Sequence, residues 1–339
     1  MRQGTPVPSL NLLQYEAPAR AHQMANSSMV TSLVAKIGPM LHETADGLYC
    51  PGGDFYIDPW GTVERAVITH AHGDHARAGS RAYLCAAPCG ALLERRLEPG
   101  TTIETVPYNR ALRVGNVTIS FHPAGHILGS AQVRVEGEGG VWVVSGDYKR
   151  EADPTCEPFE PVRCDTFITE STFGLPIFRW DPARQVIADL HRWWEDNRAG
   201  GLASVLFCYT LGKAQRILAA LAELTDRPVL VHGALATMTD AYRRAGIPML
   251  TTEVLVERAR RTPPTGELVL APLSARGTPW MRRLGEFSDA FASGTMRVRG
   301  IRRQRNVDRG IVLSDHADWP SLLQTIGEVG ASRVLTTHG

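Results

Sequence analysis

A short stretch near residue 70 carries a high density of side chains that can bind metal ions. Four of them lie within six residues of each other: His70, His72, Asp74 and His75. The apolar run at residues 66–68 precedes them and is typical of a buried strand. Imidazole and carboxylate ligands without thiolates suit zinc best and also accommodate manganese or iron, so we expect a zinc-type centre after this strand.

Three further ligand candidates stand where other strand-like runs end: His126, Asp147 and His338. A single histidine at such a place is usually an ordinary hydrogen-bonded residue, so the prediction depends on the whole set. Seven ligands exceed the need of one tetrahedral ion, but they suit two divalent ions about 3.5 to 4 Å apart. We assign His70, His72 and His126 to the first metal, Asp74, His75 and His338 to the second, and Asp147 to both.

The H-x-H-x-D-H pattern, with its later His and Asp, resembles the metallo-β-lactamase superfamily over a region that begins near residue 48. Further stretches resemble motifs of its β-CASP nuclease group: residues 168–174 around Glu170, residues 314–319 around His316, residues 209–215, and His338-Gly339. Phrases at residues 47–51, 54–60 and 291–294 resemble the bacterial DNA-ligase-associated exonucleases.

The resemblance implies an α/β fold, in which a metallo-β-lactamase αββα sandwich receives an inserted β-CASP domain of parallel sheet and helices. The sandwich would comprise residues 43–175 and 301–339, and the insertion would comprise residues 176–300. Residues 1–42 lack sustained periodicity. We expect them to form a tail or N-terminal extension, with a short helix within residues 30–37.

Apolar periodicity favours the same fold class. Short apolar runs separated by Gly and Pro predict strands at residues 55–57, 65–69, 82–84, 117–122, 132–136 and 141–145. A helix is expected after Pro88. Beyond residue 176, predicted helices and strands alternate, which indicates a parallel sheet with crossover helices. These elements are helices at 182–197 and 213–224 and strands at 203–209 and 229–232.

The resemblance also implies a function: an exonuclease of DNA repair that hydrolyses phosphodiester bonds and associates with a DNA ligase and a helicase. Two bound metals would polarise the scissile phosphate and activate a water molecule. Asp74 would aim that water, and His316 would protonate the leaving oxygen. Glu170 would orient His316 and favour its protonated form.

Other functions stay open at this point. One is a β-CASP ribonuclease that processes RNA or degrades it from the 5′ end, and another is a nucleic-acid-binding subunit without activity. His338 is shared with the RNA-cleaving relatives and by itself favours RNA, whereas the longer match to the ligase-associated group favours DNA. Because all seven ligand candidates are present, we favour an enzyme. A small-ester hydrolase is disfavoured, since such enzymes lack the insertion.

Basic residues near His316 are candidates for contacts with nucleic acid. Six arginines crowd residues 297–309, among them Arg302, Arg303 and Arg305. A cationic segment that leads into a metal-site loop would meet a phosphate backbone there, although a solvated charged face is the alternative. Lys213 lies at a predicted helix start, where it is either a phosphate contact or a solvent-exposed residue.

Composition limits the class of protein. The chain has 339 residues, of which 43% are hydrophobic and 21% charged, as in ordinary globular proteins. Its formal net charge of +1 does not by itself indicate a polyanionic partner. No apolar run approaches the ~20 residues of a membrane span, and the six cysteines lack the spacing of a disulfide framework. We therefore expect a cytoplasmic protein with reduced thiols and no membrane partner.

Overall fold

A computed structural model describes residues 40–258 and 263–337 of the chain, which form three six-stranded sheets with helices packed on them. The α/β class predicted from the sequence is therefore confirmed. His338, the predicted helix within residues 30–37 and nearly all of the predicted tail lie outside the described residues. Within those residues, no helix has the length and apolar character needed to cross a membrane.

The first sheet contains the strands that precede the H-x-H-x-D-H segment. Its strands, in spatial order, are β1 (His42–Thr44), β2 (Gly47–Cys50), β3 (Phe55–Ile57), β4 (Arg65–Ile68), β5 (Ala82–Ala86) and β6 (Thr102–Val106). Strands β1 to β3 pair antiparallel, and β3 to β6 pair parallel. Helix α1 (Gly90–Arg96) covers the outer face, where Leu92 and Leu93 pack against Ile68 and Cys85.

The second sheet faces the first. Its strands are β7 (Leu112–Val114), β8 (Val117–Pro123), β9 (Ala131–Gly137), β10 (Gly140–Val144), β11 (Thr166–Glu170) and β18 (Arg333–Thr337), in the spatial order β18-β11-β10-β9-β8-β7. Side chains alternate between its faces. Val144 enters the core shared with Phe55 and Val67 of the first sheet, whereas Val143 packs outward with Val329 of helix α7 (Trp319–Val329).

The third sheet is entirely parallel, as the alternation of predicted helices and strands indicated. Its strands are β12 (Ala203–Phe207), β13 (Val229–Val231), β14 (Thr252–Val254), β15 (Leu268–Ala271), β16 (Phe287–Ala292) and β17 (Arg309–Ile311), in the order β14-β13-β15-β12-β16-β17. Helix α2 (Ala183–Ala199) precedes β12, and the helices between the strands are α3 (Lys213–Leu221), α4 (Gly233–Arg244), α5 (Leu255–Arg258) and α6 (Arg299–Arg305).

Buried contacts join the third sheet's helices to the first sheet. Ala241 and Tyr242 of α4 belong to the same buried cluster as Leu92 of α1 and Ile127. The Tyr242 hydroxyl accepts a hydrogen bond from the Leu128 backbone N–H at 3.0 Å. The loop that carries His126 is therefore packed against helix α4.

The core begins earlier in the chain than expected. Met40 and Leu41, which the sequence assigned to the tail, are only 8% and 3% exposed. Both side chains pack in the core between the first and second sheets. The folded part therefore includes residues from the predicted extension.

Candidate metal centre

Loops at strand ends converge at one edge of the two facing sheets. The segment with His70 and His72 follows β4, His126 follows β8, and Asp147 follows β10. Close packing brings these loops together at Gly146, whose φ is +56° and where an added Cβ would lie 2.6 Å from the Thr69 Cβ. Only glycine fits this position, so Asp147 can lie beside the histidine loop.

Four ligand candidates form a compact group: His70, His72, His126 and Asp147. The Nδ1 atom of His72 lies 3.0 Å from Nε2 of His70 and 3.1 Å from Nε2 of His126. The Asp147 Oδ2 atom lies 3.5 Å and 3.7 Å from the same two Nε2 atoms. Ligands at about 2.0–2.1 Å around a tetrahedral zinc would lie about 3.3 Å apart, so the donor set fits such an ion.

Burial and neighbouring charges together give these ligands the protonation states that metal binding needs. His70 and His126 are 0% and 2% exposed, and burial lowers the pKa of both well below its usual value. Burial alone would raise the pKa of Asp147, but His75 and His316 nearby hold it well below its usual range. The group therefore combines neutral imidazoles with an ionised carboxylate.

Backbone carbonyls fix the tautomers of two ligands in this group. The Nε2–H of His72 donates to the Leu211 carbonyl at 3.1 Å, and the Nδ1–H of His126 donates to the Asp315 carbonyl at 2.7 Å. A carbonyl only accepts, so the opposite ring nitrogen of each neutral imidazole carries the free lone pair. Those free nitrogens are the ones that face each other in the compact group.

The predicted second-metal ligands are described only in part. His75 is 3% exposed, and its Nε2 lies 3.5 Å from Oδ2 of Asp147 and 3.9 Å from Oδ2 of Asp74. The Asp74 side chain is 70% exposed. Burial would lower the pKa of His75, but Asp147 and Asp58 raise it well above its usual value. His338 follows β18, which ends beside Glu170, but the residue itself is outside the described chain.

His316 and Glu170 form a pair next to Asp147. The Nδ1–H of His316 donates to Oε2 of Glu170 at 2.9 Å, and the same nitrogen lies 3.9 Å from Oδ2 of Asp147. Burial would lower the pKa of His316, but Glu170 and Asp147 raise it to about 9. Asp147, Glu170 and His316 are also close enough to form a ligand group of their own. A cavity of about 260 Å³, lined by Trp180 among others, adjoins His316.

The structure decides against one of the two predicted descriptions of Lys213. The solvent-exposed alternative is wrong, because Lys213 is 3% exposed. Its ammonium lies 2.7 Å from Oδ2 of Asp315 and so is already paired. A role as a phosphate contact stays a prediction.

The arginine segment contains residues in different environments. The guanidinium of Arg302 donates to the Met296 carbonyl at 2.8 Å and supports the turn before α6. Arg305 lies over the Phe291 ring at 5.5 Å, and Arg303 is exposed. Arg297, the first arginine of the segment, lies 3.7 Å from Asp181, which lines the cavity beside His316. Contacts with nucleic acid by Arg302, Arg303 and Arg305 stay predictions.

Sequence reasoning missed Asp58, which supports the histidine loop. Its Oδ2 accepts from Nδ1 of His75 at 2.8 Å, and its two carboxylate oxygens also accept from the backbone and hydroxyl of Thr69. Asp54, which precedes strand β3, has no such role, since it accepts from the Tyr49 hydroxyl at the surface. The available signal was position, because Asp58 directly follows the predicted strand at residues 55–57, as the ligand loops follow their strands.

No protein-family model matches the chain, but known proteins with similar sequences exist. A protein of Opitutus terrae named "Probable DNA ligase" is 32% identical over 298 residues, which are 86% of this chain and 28% of that protein. "Ribonuclease TTHA0252" of Thermus thermophilus is 30% identical over 191 residues, 48% of this chain and 44% of that protein. "Endoribonuclease ysh-1" of Neurospora crassa is 32% identical over 133 residues, which are 38% of this chain and 15% of that protein.

The chain therefore spans less than half the length of each of these three relatives. A solved structure is also similar, that of a protein of unknown function from Enterococcus faecalis V583. It matches with a TM-score of 0.54 at 12% sequence identity, over 79% of this chain and 73% of that one. At this identity, the likeness concerns the fold alone.

Proposed function

Because the chain belongs to the β-CASP nuclease group of the metallo-β-lactamase superfamily, we propose that it is a two-metal-dependent DNA exonuclease acting in DNA repair. The observation that carries this proposal is the buried ligand group of His70, His72, His126 and Asp147, with the His316–Glu170 pair beside it. A lone metal site would need no such acid, whereas phosphodiester hydrolysis does.

The domain organisation is part of the proposal. The two facing sheets would be the metallo-β-lactamase sandwich, formed by residues 43–175 and 301–339. Residues 176–300 would be the inserted β-CASP domain, which contributes most of the third sheet. The Leu211 carbonyl from this region contacts His72, so the insertion would border the metal centre directly.

Zinc is the metal we propose, with manganese or iron as alternatives, because the donors are imidazole nitrogens and carboxylate oxygens. The first ion would be held by His70, His72 and His126, the second by Asp74, His75 and His338, and Asp147 would bridge them. When bound, the two ions would polarise the scissile phosphate and supply a hydroxide at neutral pH.

The chain's own residues would do the remaining chemistry. The exposed carboxylate of Asp74 would accept a hydrogen bond from the attacking water and aim it at phosphorus. His316 would donate a proton to the leaving oxygen of the nucleotide. Glu170, 1% exposed and hydrogen-bonded to Nδ1 of His316, would keep that imidazole protonated and oriented.

DNA is the substrate we propose, and RNA is the alternative. The match to 86% of this chain in a protein named "Probable DNA ligase" supports DNA, and it also supports the proposed association with a DNA ligase. The proposed association with a helicase rests on the sequence resemblance alone. The relatives named as ribonucleases cover shorter parts of the chain, and together with His338 they favour a ribonuclease. A binding subunit without activity is disfavoured by the intact ligand group.

The test offers one metal-loaded preparation four substrates: end-labelled linear single-stranded DNA, circular single-stranded DNA, matched RNA and a chromogenic β-lactam. We expect loss of nucleotides from the end of linear DNA and no cleavage of the circle. Cleavage of the circle would contradict an exonuclease, and faster hydrolysis of RNA would contradict the DNA assignment. Binding of all nucleic acids without hydrolysis would favour the non-catalytic alternative.

A further inference from the structure

Two segments outside the histidine loops supply the carbonyls that orient the first-metal ligands. Leu211, which orients His72, lies two residues before Lys213 at the start of α3. Asp315, whose carbonyl orients His126, lies in the loop between β17 and α7. The two segments are about a hundred residues apart in the chain, so a contact must hold them in register.

A buried ionic network makes that contact. The Lys213 ammonium donates to Oδ2 of Asp315 at 2.7 Å. The Arg216 guanidinium donates to Oδ1 of Asp315 at 3.1 Å and to the Ser314 carbonyl at 2.6 Å. Arg216 also donates to Glu151 at 2.8 Å, in the segment that follows Asp147. Lys213, Arg216 and Asp315 are 3%, 3% and 4% exposed.

Because the network is buried, its ion pairs determine how the two segments meet. A buried charge without a partner is strongly unfavourable, so the buried Lys213 ammonium requires the Asp315 carboxylate, which Arg216 also pairs. Their meeting fixes the distance between the Leu211 and Asp315 carbonyls. At Gly212, with φ +88°, an added Cβ would lie 2.3 Å from Cγ2 of Ile127, so the segment also sits tightly against the loop of His126.

We propose that Lys213, Arg216 and Asp315 are positioning residues for the first metal, which lock the carbonyls that set the tautomers of His72 and His126. In this role the cation of Lys213 serves the metal centre and not the substrate phosphate. The inference rests on the proposed metal ligands but not on the substrate, so its test measures metal binding and stands apart from the nuclease assays.

The experiment measures zinc affinity by competition with a chromophoric chelator, in a His75→Ala background that leaves the first metal to be observed. We expect Lys213→Met and Asp315→Asn each to weaken zinc binding about 10- to 100-fold, the usual effect of losing an outer partner of a ligand. The double variant should lose little more than Asp315→Asn alone, because Asp315→Asn already breaks the contact with Lys213 and also weakens the one with Arg216.

Arg276→Met is the matched control, since it leaves the buried Asp289 carboxylate without the guanidinium that lies 3.0 Å away. It should lower the melting temperature and leave zinc affinity unchanged. Thermal melts identify variants that do not fold. If Lys213→Met does not fold, Asp315→Asn decides alone. Wild-type zinc affinity in a folded Lys213→Met or Asp315→Asn variant would overturn the proposal, as would an equal loss in the Arg276→Met control.

Discussion

The two halves of the candidate metal centre differ in how completely the fold prepares them. On the first-metal side, the ligand atoms of His70, His72, His126 and Asp147 lie within 4.8 Å of one another, and backbone carbonyls orient two of the rings. On the second-metal side, His75 is buried and bonded to Asp58, but Asp74 is largely exposed. From this difference we infer that the first site is preformed and binds its ion more tightly, whereas the second faces solvent, where a substrate phosphate can enter.

Asp147→Ala should have the largest effect, because the Oδ2 atom of Asp147 lies 3.5 Å from Nε2 of His70, a proposed first-metal ligand, and 3.5 Å from Nε2 of His75, a proposed second-metal ligand. We expect loss of detectable hydrolysis and metal content below two equivalents per chain, measured by elemental analysis after dialysis. Asp226→Ala, which removes an exposed carboxylate, is the control and should behave as the wild type. Two retained equivalents with normal turnover would reject the bridging assignment.

His316→Ala separates chemistry from metal binding. Loss of a general acid should lower the rate about 10²- to 10⁴-fold while both metals stay bound. His191→Ala, which removes another histidine with a glutamate neighbour, should leave the rate unchanged. If metal is lost instead, His316 is a ligand in a group with Asp147 and Glu170.

Asp58→Asn addresses the second-metal side alone. Its carboxylate orients His75, so the second equivalent of zinc should bind about 10- to 100-fold more weakly while the first is unchanged. Stepwise zinc titration monitored by native mass spectrometry measures both affinities. Equal weakening of the two equivalents would mean that the contact between Asp58 and Thr69 also positions the ligands of the first metal.

The arginine segment should give the smallest effect. Replacing Arg303 and Arg305 with Ala should flatten the log–log salt dependence of binding to single-stranded DNA by about 0.7 for each lost phosphate contact. Fluorescence anisotropy at several salt concentrations gives the slope. Arg302→Ala is expected to act mainly on stability, because its guanidinium bonds the Met296 carbonyl. An unchanged slope in the double variant would mean that Arg303 and Arg305 do not contact phosphates and belong to a solvent-exposed charged surface.

Much of the fold was accessible from the sequence because its signals are local. Strand β3 and the starts of β4, β8 and β12 agree with the apolar runs, and α3 begins at Lys213 as predicted. Strand pairing and the facing of the first two sheets depend on contacts distant in sequence. Helix α7 was missed as an element, although Asp318 caps it and Pro320 stands in its first turn.

The candidate site shows the same limit. Ligand identities followed from residue types and spacing around His70, but their supporting partners did not. The Leu211 and Asp315 acceptors are backbone carbonyls, which every residue type carries, so the sequence could not identify them. The burial of Lys213 was equally hidden, since its charge suggested solvent or phosphate and its partner lies 102 residues away.

The most direct test of the account is a metal titration of the metal-free chain, in which bound zinc and hydrolysis of end-labelled single-stranded DNA are followed together. The account predicts two equivalents, the first tight and without hydrolysis, and the second weaker and accompanied by the onset of nucleotide release. Full hydrolysis after one equivalent, or none after two, would contradict a two-metal nuclease with one preformed site.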